Sequence, residues 1–282
     1  MKFSIVTPNY NYGRFLKKAL ESVLEQAEGV GAPEIEHIVV DGGSTDDSLS
    51  ILREWASFAA AQPAAKDGRY AFSYVSEPDD GQTDAINKGL RRATGDVVAW
   101  LNADERYLPG KLALVAAAFA RNPRTDFVYG EPLFVDADGR PLRVKHAHRF
   151  SFFVLAAHLC FIASCCAFWR RRILDDGHFL DPSFKVIMDG EYYCRLARAG
   201  YRFRFVPQTI AEFTWHADNV SKTQRERRGE ERLAMQRKFL PLPKRLAGRE
   251  RSIYRLLSRM GRRWRHLLIV SRLFTEGRLY LR

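Results

Sequence analysis

"FSIVTPNYNYGRFLKKALESVLEQA", residues 3–27, reads as a strand followed at once by a helix. The stretch "FSIVTPNY" is apolar and β-branched. Phe15, Leu16, Ala19, Leu20, Val23 and Leu24 then recur at helical spacing. The same alternation continues outward to about residue 135. "EIEHIVVDGG" is a second strand ending in glycines. "STDDSLSILREWASFAA" is a helix opened by Ser44 and, three residues on, Asp47, in the manner of a capping box. "YAFSYVSEPDDG" is a third strand, and "QTDAINKGLRRATG" a helix stopped at Gly95. "DVVAWLNADE" is a fourth strand, "PGKLALVAAAFARNP" a helix with Pro109 in its first turn, and "DFVYGEPLFVD" a fifth strand. Strands separated by helices of this length predict an α/β, doubly wound, mainly parallel sheet with helices on both faces.

In such sheets ligands bind beyond the carboxyl ends of the strands. Those ends carry "TPNYNYG", "DGGSTD", "EPDDGQ" and "NADE", all rich in small and polar residues. Past about residue 140 the pattern turns irregular. "MDGEYYCRLARAG" reads as a helix with Tyr192, Leu196 and Ala199 on one face, and "YRFRFVPQTIAEF" as one or two strands.

The 282 residues carry a net charge of +12, very unevenly placed. Residues 222–282 hold 19 Lys and Arg against 5 Asp and Glu, which leaves the rest of the chain at −2. The basic character therefore belongs to a C-terminal tail and says nothing of the main body. Cys160, Cys165, Cys166 and Cys194 form no Cys-x-x-Cys pair, so reduced thiols in a cytoplasmic protein are expected. No signal peptide is expected, since Met1-Lys2 runs straight into the first strand. Residues 151–169, "SFFVLAAHLCFIASCCAFW", approach the roughly 20 apolar residues of a spanning helix. The expectation is nonetheless a buried core segment and an apolar wall near a site.

Taken singly, the polar clusters leave alternatives open. Asp41 ends a strand before Gly42-Gly43 and a helix N-terminus; it can meet a base or ribose, or only make a turn. Asp84, Asn87 and Lys88 share one helical face, which suits either a ligand or a solvated ion pair. Asn102 and Asp104 alternate along an extended segment, so both can face one ligand. A hard cation shared between one carboxylate and a diphosphate fits there, since such ions keep phosphate and water in their shells.

In order, "SIVTPNYNYGRFLKKALESVLEQ", "VVDGGSTDDS", "EPDDGQTDAINKGL", "GDVVAWLNADE" and "MDGEYYCRLARAG" resemble the motifs of family 2 inverting glycosyltransferases of the GT-A fold. The resemblance covers about residues 1–216. It implies that Thr7, Pro8 and Tyr10, with Asp41, cradle the nucleoside, and that Asp84 lies in the second nucleotide-contact segment. Ile86 stands where many members carry arginine, which passes that contact to Lys88. Asn102 and Asp104 occupy the Asp-x-Asp motif, with Asn102 toward the ribose and Asp104 as ligand of Mg²⁺ or Mn²⁺. Asp189 matches the catalytic base, with Glu191 as its rival and helix capping as the plainer role. His216 matches a further metal or diphosphate contact of some members, although a core histidine is an alternative. His158 is expected to be a satisfied buried histidine. Were residues 151–169 to cross a bilayer, Asp104 and Asp189 would fall on opposite sides, so the two readings exclude each other.

The resemblance implies a domain over 1–221 that moves a sugar from a nucleotide-diphosphate sugar, a UDP-sugar by expectation, to a saccharide or lipid-linked acceptor in cell-surface polysaccharide synthesis. A catalytically silent nucleotide-sugar-binding protein is the alternative. A nucleotidyltransferase would need a glycine-rich, basic loop that "TPNYNYG" lacks. In the tail, 222–282, Ile253, Leu256, Leu257, Met260, Trp264, Leu267 and Leu268 fall at helical spacing among Arg255, Arg259, Arg262, Arg263 and Arg265. Such a helix suits an anionic membrane surface at the inner face of the cell membrane, or packing on the main body. No nucleic-acid-binding module appears.

Overall fold

The computed structural model describes residues 1–217, 219 and 223–276. The expected boundary at 221/222 and the last six residues lie outside them. The first unit is as the sequence predicts: β1 (Lys2–Asn9), α1 (Gly13–Leu24), β2 (Glu34–Asp41), α2 (Ser48–Ala61), α3 (Pro63–Lys66), β3 (Tyr70–Ser76), α4 (Gln82–Arg92) and β4 (Val97–Trp100). Strands β3, β2, β1 and β4 lie side by side in that order, all parallel. The chain runs to one side from β1 and returns to the other with β4, so the strand order reverses between them. That reversal opens a crevice at their carboxyl ends.

The rest of the sheet is mixed. It continues with β5 (Glu105–Tyr107), α5 (Lys111–Arg121), β6 (Phe127–Val135), β7 (Pro141–Val144), α6 (Phe152–Ala157), β8 (Ala167–Arg170), α7 (Arg172–Asp175), α8 (Met188–Arg198) and β9 (Phe203–Thr214). β8 is antiparallel to β4 and β6, β6 runs parallel to β9, and β9 antiparallel to β5. Alternation along each strand buries both faces. Val97 and Ala99 join one core with α1, α2 and α5, while Val98 and Trp100 join another with α4, α6 and α8.

Two helix starts differ from expectation. α2 begins at Ser48 with no side-chain cap, because Ser44 is drawn instead to Asp41. α5 begins at Lys111, behind a left-handed Gly110, so Pro109 precedes the helix. The apolar stretch 151–169 is no span: it breaks into α6, a short 3₁₀ turn and β8, and its residues fill the core. Among the described residues no helix is long and apolar enough to cross a membrane.

The tail forms α9 (Arg225–Phe239) and α10 (Glu250–Thr275), and both pack on the body. Gln236 donates to the Ala157 carbonyl at 2.9 Å, and Arg272 pairs with Glu131, itself 1% exposed. A Cβ on Gly261 would stand 2.9 Å from that of His158, so glycine lets α10 approach the end of α6. The apolar stripe expected on one face of the tail is divided. Ile253, Leu257 and Leu268 are partly buried, whereas Leu256, Met260, Trp264 and Leu267 are half exposed or more.

Candidate active site

A cleft of about 1200 Å³ opens at the carboxyl ends of β1 and β4 and runs to the start of α8. Pro8, Tyr10, Asn102, Asp104 and Asp189 line it, as do Asn9, Gln82 and Glu105.

At the β1 end, Asp41 is fully buried and both its oxygens are used. Oδ1 accepts from Asn9 Nδ2 at 2.7 Å and from the Ser44 hydroxyl. Oδ2 accepts from the Ser76 hydroxyl at 2.7 Å and from the Ser44 and Gly43 amides. Burial alone would raise its pKa, but these donors hold it below the ordinary aspartate value. Gly43, at φ +80°, makes the turn that aims its amide back. Asp41 therefore does not line the cleft; it orients Asn9. With its nitrogen on Asp41, Asn9 keeps Oδ1 without a partner at the cleft wall, an acceptor awaiting a donor. Thr7 is likewise in the core, 3.0 Å from His37 Nε2, so the contact expected of it passes to Asn9. β4 pairs with β1 only as far as Val6, whereas β2 runs on beside it to Asn9, so the last residues of β1 border the crevice.

Asp84 and Lys88 face away from the cleft. Lys88 pairs with Asp84 at 3.2 Å and Glu77 at 3.3 Å, and it donates to the Pro78 carbonyl. Asn87, placed on their face from the sequence, is buried and straps Leu180 through both its amide atoms. Gln82, the first residue of α4, reaches the cleft, as does Ala85. Gln82 donates to Asn102 Oδ1 at 2.7 Å, which leaves the Asn102 nitrogen as the group a ligand can meet.

Asp104 Oδ2 lies 2.9 Å from His216 Nε2, and Asn219 Nδ2 stands 3.4 Å from the same oxygen. His216 is stacked on Phe15 at 5.0 Å. Carboxylate and imidazole donors on neighbouring corners of an octahedron of about 2.1 Å radius stand roughly 3.0 Å apart, so this pair fits one divalent ion. Among the described residues no three His, Cys, Asp or Glu side chains converge on a metal position. The remaining ligands would come from a diphosphate and water. Glu105 is 2% exposed, and its Oε2 accepts from the Asn102 amide while Oε1 has no partner. Burial, then the neighbouring Asp104 carboxylate, push its pKa up to about 8, so it holds the turn as a neutral acid.

At the far wall Asp189 sits in the first turn of α8, its Oδ1 accepting from the Gly190 amide at 2.7 Å. Burial raises its pKa above the usual aspartate range, against the Gly190 amide and the Cys160 thiol, which lower it. Glu191 lies on the other side of the helix. It is fully buried, in ion pairs with Lys238 at 2.9 Å and Arg195 at 3.1 Å. Of the two carboxylates only Asp189 reaches the cleft. His158 also lines it, but its Nδ1 is buried without a partner rather than satisfied.

The sequence model described as Glycosyl transferase family 2 matches residues 4–177, more than half of the chain. An uncharacterized glycosyltransferase of Nostoc sp. is 29% identical over 231 residues, 78% of this chain and 66% of that protein. A PGL/p-HBAD biosynthesis glycosyltransferase of Mycobacterium bovis is 27% identical over 194 residues, 68% of each. The chain thus spans about two thirds of the length of these relatives. Among solved structures, the mannosyltransferase PcManGT of Pyrobaculum calidifontis, in complex with GDP-Man and Mn²⁺, superposes with a TM-score of 0.63. It is 20% identical, with 86% of this chain and 65% of that one covered. S. aureus TarS 1–349 in complex with UDP gives 0.57 at 18% identity, over 85% of this chain and 71% of that one. At such identities the likeness is one of fold.

Proposed function

We infer the function from one premise: the chain belongs to glycosyl transferase family 2. We propose that it is an inverting, metal-dependent enzyme that moves a sugar from a nucleotide-diphosphate sugar, a UDP-sugar, to a hydroxyl of a saccharide or lipid-linked acceptor. Cell-surface polysaccharide synthesis at the inner face of the membrane is the setting proposed for it. One observation carries the reading: Asp104, paired with His216, and Asp189 line a single cleft, and Glu191 does not.

In this reading Tyr10, 58% exposed at the cleft, stacks on the base. Asn9 Oδ1 accepts an imide N–H, which uracil supplies. The Asn102 amide nitrogen donates to a ribose oxygen. Asp104 and His216 would hold Mg²⁺ or Mn²⁺, whose charge would offset that of the leaving diphosphate. Asp189 takes the acceptor hydroxyl proton as the acceptor oxygen bonds to the anomeric carbon. The bond from that carbon to the diphosphate oxygen breaks on the opposite face, and its electron pair leaves with the nucleoside diphosphate. A carboxylate pushed above its ordinary range is the stronger base for this step. Residues 1–221 are read as the transferase unit, and α9 and α10 of the 222–282 tail as lying along its acceptor side. The TarS and PcManGT complexes with UDP and with GDP-Man and Mn²⁺ lend support at the level of donor class.

The test is a thermal-shift panel of nucleotide diphosphates with Mn²⁺, followed by donor turnover. UDP is expected to raise the melting temperature selectively, and Asp104→Ala to abolish the rise. Asp189→Asn is expected to bind UDP normally and lose at least about 10²-fold in turnover. Wild-type turnover in either variant, or a preference for GDP or dTDP, would overturn the corresponding assignment.

A further inference from the structure

The cleft wall around Asp189 holds more positive charge than the donor chemistry uses. α9 lays Arg228, Arg232 and Met235 along it, and Met235 Sδ would lie 3.6 Å from a Cβ on Gly190, beside Asp189. α10 adds Arg265, one turn beyond the glycine that packs on His158. Lys145, just past β7, completes the group.

Three of these cations, Lys145, Arg232 and Arg265, are short of counterions. Among the described residues no carboxylate lies within 4.0 Å of Lys145, Arg232 or Arg265. Arg232 donates only to the Ser258 hydroxyl at 3.2 Å, and Arg265 to the His146 carbonyl at 2.9 Å, with its Nε unpartnered. His158, 7% exposed, turns an unpartnered Nδ1 into the same space. Burial, and then the charges of Arg232, Arg262 and Arg265, hold it down to about 4, so the site repels any further proton. Burial also lowers Arg232, Arg265 and Lys145, which marks a site built for a negative group. Asp189 alone supplies one negative charge there. Guanidinium forks with a neutral imidazole donor match phosphate oxygens.

We propose that this wall is an anion subsite that takes a phosphate or diphosphate group carried by the acceptor. The proposal rests on the transferase reading and narrows its acceptor. It places the acceptor's charge beside the base and leaves the donor's diphosphate to the Asp104 end.

The full-length protein, loaded with UDP and Mn²⁺, is titrated calorimetrically with inorganic pyrophosphate, with farnesyl diphosphate below its micelle-forming concentration, and with farnesol. Both diphosphates are expected to bind the loaded protein and farnesol not. Arg232→Gln and Arg265→Gln are each expected to weaken them roughly tenfold, the size of one charge-assisted hydrogen bond, while UDP affinity changes less than twofold. Tighter binding of farnesyl diphosphate than of pyrophosphate assigns the group to a lipid carrier; equal binding assigns it to a soluble phosphorylated acceptor. Arg265→Lys, which keeps the charge, should retain most of the affinity if Arg265→Gln folds poorly. Loss of pyrophosphate binding on loading with UDP, or unchanged affinity in both glutamine variants, overturns the proposal. Failure of UDP to bind overturns the donor reading instead, and the pyrophosphate titration of the unloaded protein still decides the subsite.

Discussion

Buried histidines make the stability of this protein depend on pH. His37 lies between the Thr7 hydroxyl and the Tyr70 hydroxyl, each 3.0 Å away, with no exposure to solvent. Desolvation lowers its pKa to about 3, so it stays neutral in the folded chain where the unfolded chain takes up a proton. Its contribution is complete above about pH 6.5 and is lost as pH falls toward 3, at about 1.4 kcal/mol per pH unit. His148 and His158, both held near 4, act in the same direction. Urea midpoints measured from pH 7 to pH 4 should therefore fall in wild type and fall less steeply in His37→Gln, whose amide can keep both hydrogen bonds. An unchanged slope would mean that His37 is protonated in place. At this scale the sequence supplies only candidates. "IVTPNY" shows a polar run at a strand end, but that Thr7 bonds His37 in the core while Asn9, held by Asp41, borders the cleft follows from partners far away in the chain.

Between elements, the most consequential contact joins the tail to the base. Glu231 of α9 accepts the amides of Lys185, Val186 and Ile187 at 2.8, 2.9 and 3.1 Å, just before α8 begins. Ile187 is the N-cap residue of α8 and Lys185 and Val186 lead into it, so a carboxylate from elsewhere satisfies the amides at the helix entry and fits the positive helix end. Glu231→Ala strands those donors and is expected to cost roughly 3 kcal/mol in denaturant unfolding. Because α8 carries Asp189, the variant should also lose kcat while UDP binding stays near normal. A variant as stable and as active as wild type would show that the loop is held by other means. Helix α8 itself was legible from its period, with Tyr192 and Leu196 buried together. Its cap was not, since Glu231 stands over forty residues away and looks like one more charge on a solvated helix.

Across the whole molecule, α10 presents two unlike faces. Arg265 and Ile269 line the cleft, while Leu256, Met260, Trp264 and Leu267 face outward among exposed arginines. We read the outer face as the one that meets an anionic membrane, where each basic residue is worth about 1 kcal/mol. Vesicles containing anionic lipid should sediment the protein at low salt and release it at high salt. The double variant Leu256→Glu and Leu267→Glu should remain unbound yet still bind UDP; binding that persists in it would remove this face from the membrane. The sequence by itself determined the βα alternation, the sheet's polar carboxyl edge and the basic tail, because periodicity and strand-end composition are local and survive in one dimension. It also placed Asp104 and Asp189, through motifs with little freedom of spacing. Only the tertiary structure decided that Asp41 serves Asn9, that Asp84 and Lys88 serve each other, and that Glu191 is spent on Lys238 and Arg195. It alone brought the tail's arginines to the wall beside Asp189. A polar side chain takes its role from the partners that desolvation forces on it, and those partners come from segments far apart in the chain.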